Sequence, residues 1–118
     1  MRRPERVAEL LREEISQIVG YELDDRRVET VTVTEVRVSD NLRDAKVFVL
    51  VEGSDEEINA ALIALRNAAP YIRKQVAFAL DLRHAPALHF ARDTVEERAN
   101  RIESLLSEIK PTERHQEG

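Results

Sequence analysis

The chain has 118 residues and a formal net charge of -5, from 18 Lys and Arg against 23 Asp and Glu. That length supports one hydrophobic core, which excludes a two-domain organisation. A 42% hydrophobic and 35% charged composition fits a globular domain with a heavily ionised surface and excludes a disordered or membrane-embedded chain. Taken as a total, the acidity argues against a nucleic-acid partner.

Cysteine is absent, which removes disulfides, thiolate metal sites and cysteine nucleophiles and fits a reducing cytoplasm. The start is basic, but Glu9, Arg12, Glu13 and Glu14 interrupt the apolar pattern behind it, so no secretion signal is expected. The longest apolar runs, Ala60–Leu65 and Val47–Val51, fall far short of the roughly 20 residues a spanning helix needs. No membrane partner is expected.

Val7, Leu10, Leu11, Ile15, Ile18 and Val19 have the one-face spacing of an amphipathic helix over Pro4–Val19. Pro4 suits its first position, and Gly20 suits the left-handed residue beyond its end. After a polar connection, Val28–Val38 is rich in β-branched residues, with Val31 and Val33 in one alternating phase and Val36 and Val38 in the other. The flip at Thr34-Glu35 predicts a bulge. Ser39-Asp40-Asn41 is turn chemistry, and Lys46–Val51 reads as a second strand, antiparallel to the first, with Phe48 and Leu50 facing opposite to Val47, Val49 and Val51.

Ser54 and Glu57 form a capping box for a second helix with a stripe of Ile58, Ala61, Leu62, Leu65 and Ala69. Pro70 removes a backbone donor and clashes one turn back, which predicts a bend at Ala69-Pro70 and a third helix over Tyr71–Leu82. Pro86–Arg92 alternates as a third strand, parallel to a neighbour because a helical crossover reaches it. Thr94 and Glu97 cap a last helix carrying Val95, Ala99, Ile102, Leu105, Leu106 and Ile109, followed by a polar tail from Pro111. The expected order is αββααβα: an α+β, two-layer domain with helices on one face of a three-stranded mixed sheet.

Enzymatic chemistry finds little support. His84, His89 and Asp93 are a possible metal or acid–base set, but with only His115 in the tail left over they do not supply the three or four converging ligands a metal needs. Asp24-Asp25 and Asp55-Glu56-Glu57 fall in a loop and in a first helical turn, where negative charge offsets the helix dipole. No serine has a G-x-S-x-G setting, and three glycines cannot build a phosphate loop. No catalytic residue, metal, cofactor or small-molecule substrate is expected.

The distribution of charge says more than its total. Arg66, Arg73, Lys74, Arg83 and Arg92 against Asp81 make the segment Arg66–Arg92 net +4, while the rest of the chain is net -9, with 13 basic and 22 acidic residues. Such a stretch can present a phosphate-binding face, although an ordinary solvated helix face has the same composition. If Arg73 and Lys74 open a third helix, they oppose its dipole, which is mild support for an anionic partner. Phe48, Phe78 and Phe90 fit core positions at least as well as stacking platforms, so the expected contact is with phosphate rather than base.

Several motifs resemble the bacterial ribosome-binding factor A family. They are Arg6-Val7-Ala8-Glu9-Leu10-Leu11-Arg12-Glu13-Glu14-Ile15, Val31–Ser39, Leu42–Val49, Ala68–Lys74 and, most specifically, Leu82–Phe90 with Asp93, Arg101-Ile102 and Leu105-Leu106. The resemblance implies a type II KH-like domain over residues 1–110 and a short tail over 111–118. It implies a cytoplasmic assembly factor, active in adaptation to cold, that binds the immature small (30S) ribosomal subunit and helps its 16S rRNA mature. No catalysis is implied, and the free protein is expected to be monomeric. Three departures stand out. Ala68-Ala69-Pro70 replaces the family's Ala-x-Gly bend, which shifts phosphate capture to Arg73 and Lys74; Asn41 stands where Asp is common; and Val95 stands where Ser is common. The candidate RNA-binding set is Arg66, Arg73, Lys74, Arg83, Arg92 and Lys46. A protein-interaction module with an incidental basic face is the alternative.

Overall fold

The computed structural model describes residues 4–96, 98–100 and 102. Helix α1 (Pro4–Gln17) is followed by strands β1 (Val31–Val38) and β2 (Asp44–Val51), helix α2 (Asp55–Ala79) and strand β3 (Ala87–Arg92). The sheet order is β1-β2-β3, with β2 antiparallel to β1 and parallel to β3. α1 packs over β1 and α2 over β3. Leu11, Ile15, Leu65, Ile72 and Val76 from the helices meet Val33, Val36, Val47, Val49 and Phe90 from the sheet in one core. This is the expected α+β, two-layer arrangement.

α1 buries Val7, Leu11 and Ile15 at intervals of four residues, the spacing of one helical face. It does not end at Gly20. Ile18–Glu22 forms a wider π turn, closed by the Leu23 N–H donating to the Ile18 carbonyl at 3.1 Å. The extra residue in that turn re-phases the chain and keeps both Ile18 and Val19 in the core. Among the described glycines only Gly53 has a positive φ. The strand expected from Val28 starts at Val31, because Arg26–Val28 is a short 3-10 turn capped by Asp25. The Arg27 guanidinium and then its backbone N–H hold the Asp25 carboxyl down at about 2.

The bulge expected at Thr34-Glu35 is present. Val33 pairs with Val49 and Glu35 with Phe48, so Thr34 is the unpaired extra residue. That insertion lets Val33 and Val36 both face the helices despite their odd spacing. Thr34 Oγ1 lies 2.6 Å from Asp93 Oδ2 and 3.2 Å from the Phe48 carbonyl. One hydroxyl proton cannot serve both, and the shorter, charge-assisted bond to the carboxylate takes it. Buried Asp93 also accepts from Arg98 Nη2 at 3.2 Å, and its N–H donates to the Val49 carbonyl at 2.7 Å. The bulge, the end of β3 and the segment that follows β3 are thus tied at one residue, through its carboxylate and its N–H.

In the loop before β2, Asn41 Oδ1 accepts from the Arg43 N–H at 3.0 Å and from the Ser39 hydroxyl at 2.7 Å. Asparagine therefore keeps the acceptor that an aspartate would offer there. The capping box of α2 is also present: the Glu57 N–H donates to Ser54 Oγ at 3.2 Å, and the Ser54 N–H donates to Glu57 Oε1 at 3.0 Å. The Ser54 N–H, then its hydroxyl, lowers the Glu57 carboxyl from its ordinary range. Gly53 precedes the box at φ 140°, and a Cβ there would meet Glu57 Cβ at 3.0 Å. Gly53→Ala is expected to cost about 1–3 kcal/mol in urea unfolding through backbone strain; an unchanged midpoint would show that the turn relaxes freely.

Two helices divided at Pro70 are not found. α2 is one helix from Asp55 to Ala79 with Pro70 inside it. The missing proline N–H deprives only the Arg66 carbonyl, at a local cost of about 3 kcal/mol. Ile58, Leu65 and Ile72 recur every seven residues and Val76 keeps the phase, so one apolar stripe continues across the proline. Burying Ile72 and Val76 completely contributes about 1.5–3 kcal/mol each, which offsets the defect. The helix ends at Leu80, and Asp81 turns the chain with φ 53°.

After β3, residues 95, 96, 98–100 and 102 are helical. The remainder of the expected last helix, the Glu97 half of its capping box and the tail from Pro111 lie outside the described residues. Val95, Ala99 and Ile102 are exposed. No described helix is long and apolar enough to cross a membrane.

Candidate nucleic-acid interface

The basic residues of α2 stand on its solvent side because the opposite stripe is occupied by Leu65, Ile72 and Val76. Arg66 and Arg73, seven residues apart, share one flank, and Lys74 points more directly away from the core. All three are exposed. Since α2 is continuous, Arg73 and Lys74 do not open a helix. They lie one turn short of its last turn, which holds no basic residue, so the expected unfavourable placement against the dipole disappears.

α2 leads from the end of β2 to the start of β3, and those strands are parallel. The C-terminal end of α2 therefore lies beside the start of β3. Arg73, Lys74 and the exposed loop residue Arg83 gather at this end, with Arg66 farther along the same helix. Arg73 also serves the fold, because its Nε–H donates to the Ala85 carbonyl at 2.9 Å and holds the loop before β3 against the helix. Ala68 and Ala69 are half-buried and Pro70 is exposed, with no backbone N–H at the proline to meet an anion.

Two members of the candidate set fall elsewhere. Arg92 closes β3, about 16 Å along the strand from its start, at the end where Asp55, Glu56 and Glu57 begin α2. Lys46 alternates with the core residues Ala45 and Val47, so it projects from the sheet face opposite the helices. There its ammonium sits 5.3 Å from the centroid of the buried Phe48 ring, a cation–π contact. Contiguity in sequence did not translate into contiguity on the surface.

Lys46 is in register with Arg37 on one side and His89 on the other, a cross-strand basic row that inspection of the sequence missed. Its signal was the strand phase after the bulge. Two carboxylates accompany the row: Glu35 lies 3.9 Å from Arg37, and Asp44 Oδ1 lies within hydrogen-bond distance of His89 Nε2, at 2.9 Å. His84 is exposed in the loop before β3 and Asp93 is engaged by Thr34 and Arg98, so the three acid–base candidates do not converge. Among the described residues no cluster of His, Asp and Glu could hold a metal ion.

Aromatic placement differs from expectation at one position. Phe48 and Phe90 are buried, but Phe78 is 88% exposed and Tyr71 is 45% exposed. Phe78 falls two residues from Val76, on the other side of a 3.6-residue helix, and that spacing was the available signal.

The family model for ribosome-binding factor A matches residues 3–106. Ribosome-binding factor A of Solibacter usitatus is 41% identical over 116 residues, which cover 98% of this chain and 94% of that protein. The Thermomicrobium roseum protein of the same name is 48% identical over 108 residues, covering 92% and 84%. Among solved structures, the crystal structure of ribosome-binding factor A from Thermus thermophilus superposes with a TM-score of 0.67 at 25% identity, covering 75% of this chain and 94% of that one. Coordinates of the Thermus thermophilus factor fitted into the electron-microscopy map of its complex with the 30S subunit give a TM-score of 0.61 at 26% identity, covering 71% and 88%. The shared architecture is KH-like. By near full-length sequence match and by fold, this chain belongs to the ribosome-binding factor A family.

Proposed function

We propose that the chain is a non-catalytic, cytoplasmic assembly factor that binds the immature 30S ribosomal subunit and assists processing and maturation of its 16S rRNA, including in the cold. The carrying observation is family membership over nearly the whole chain, and the exposed Arg73, Lys74 and Arg83 at one end of α2, with exposed Arg66 farther along the same helix, support it. Phosphates neutralise such a cluster and release their counterions, so the bound state is favoured at low salt. The net -9 remainder of the chain repels RNA and leaves one face to dock. The Thermus relative's complex with the 30S subunit supports the choice of partner. Monomeric protein suffices for this reading.

Affinity purification of the chain from cells expressing it tests the proposal. Co-purification of small subunits containing unprocessed 16S rRNA precursor is the expected result. Recovery of a protein partner that persists after nuclease and high-salt washing would instead favour a protein-interaction module.

A further inference from the structure

Tyr71, Lys74 and Phe78 lie at i, i+3 and i+7 on the solvent side of α2, so along the helix axis a lysine is set between two residues with exposed rings. Phe78 and Lys74 also line a groove with Gln75, Ala77, Asp81 and Leu82 where the helix ends. A ring as exposed as Phe78 contributes nothing to the core.

We infer that this face is a platform for an unpaired stretch of RNA, with bases stacked on Phe78 and Tyr71 and the intervening phosphate on Lys74. The inference deepens the proposed small-subunit function and rests on that reading. Two considerations favour this occupant. An apolar protein surface packed over both rings would bury the Lys74 ammonium without a counter-charge, at a cost of several kcal/mol. A nucleotide strand supplies that charge between its bases. Around the platform stand Arg73, Lys74 and Arg83 against Asp81, a local net charge of +2, which complements a polyanion.

Helix geometry also separates single strand from duplex. Seven residues of helix set Tyr71 and Phe78 about 10 Å apart along the axis, roughly three times the rise of about 3.4 Å between stacked bases. A strand that engages both rings is therefore unstacked, as in loops and at single-stranded ends. Asp81, at the end of the groove, repels phosphate but can accept from the amino group of a base placed on Phe78.

The test compares full-length wild type, Phe78→Ala, Phe78→Tyr and Lys74→Gln in titrations with an unstructured oligocytidylate and with an RNA duplex of equal charge. Phe78 is outside the core, so each variant is expected to melt like wild type. Phe78→Ala should weaken single-strand binding by between about fivefold and a hundredfold and leave its salt slope unchanged. Phe78→Tyr should retain binding, and Lys74→Gln should lower the slope by about 1. Duplex binding should ignore the ring. Equal single-strand affinity for wild type and Phe78→Ala overturns the inference. Weakened binding to intact subunits with unchanged binding to protein-free RNA also overturns it, by assigning the face to a protein. So does a dimer that Phe78→Ala dissociates. These outcomes leave the family reading standing; only wild type that fails to bind immature subunits removes that reading.

Discussion

Asp93→Ala is expected to lower the thermal unfolding midpoint by roughly 10 °C, the equivalent of about 2–3 kcal/mol for a domain of this size. The Asp93 side chain is 1% exposed and accepts from the Thr34 hydroxyl and the Arg98 guanidinium. Hydrogen bonds to a charged group contribute about 1.5–3 kcal/mol each, reduced by the cost of desolvating the carboxylate. Without it, the Thr34 proton falls back on the Phe48 carbonyl, 3.2 Å away, and the anchor for Arg98 is gone. Asp93→Asn keeps shape and one acceptor, so about 1 kcal/mol is expected. Differential scanning calorimetry of both variants checks the ranking. An Asp93→Ala protein that melts with wild type would show that the bulge needs no such tie.

The second large effect is on binding. Replacing Arg66, Lys74 and Arg83 together by glutamine is expected to weaken association with immature small subunits by roughly tenfold to a hundredfold at low salt. It should also reduce the slope of log affinity against log salt by about 3, one for each lost phosphate contact. Arg73 is left intact because its Nε–H holds the Ala85 carbonyl, and removing it would mix a folding defect into the binding result. Arg92→Gln and Lys46→Gln serve as controls: the first is at the far end of β3 and the second on the opposite sheet face, so neither should change the slope. A slope unmoved by the triple variant would take the α2 cluster out of the interface.

Much of this architecture is legible in the order of residues, for identifiable reasons. A phase flip in β-branched residues has one economical explanation, an inserted residue, and Thr34 is that residue. Ser54 and Glu57 need only each other and the backbone to form their box. Pro70 misleads because local chemistry says stop, whereas the core stripe of Ile58, Leu65, Ile72 and Val76 keeps its period across the proline and packing prevails over one missing bond. Gly20 misleads likewise: a π turn that keeps Ile18 and Val19 in the core removes the need for a left-handed stop.

The site is only half legible. Basic residues on α2 can be read from the local excess of charge, but that count cannot separate Arg92, a strand length away, or place Lys46 behind the sheet. Arg73's bond to Ala85 depends on how the loop folds back, which no periodicity reports. Phe78 was readable in principle, since its angle from Val76 on the helix already placed it in solvent.

Whether this chain binds immature small subunits through phosphate contacts is decided by sedimenting wild-type protein with those particles through a sucrose cushion at low and raised salt. The protein is expected to pellet with the subunits at low salt and to be released as salt rises. Protein that stays in the supernatant at low salt would refute the assignment.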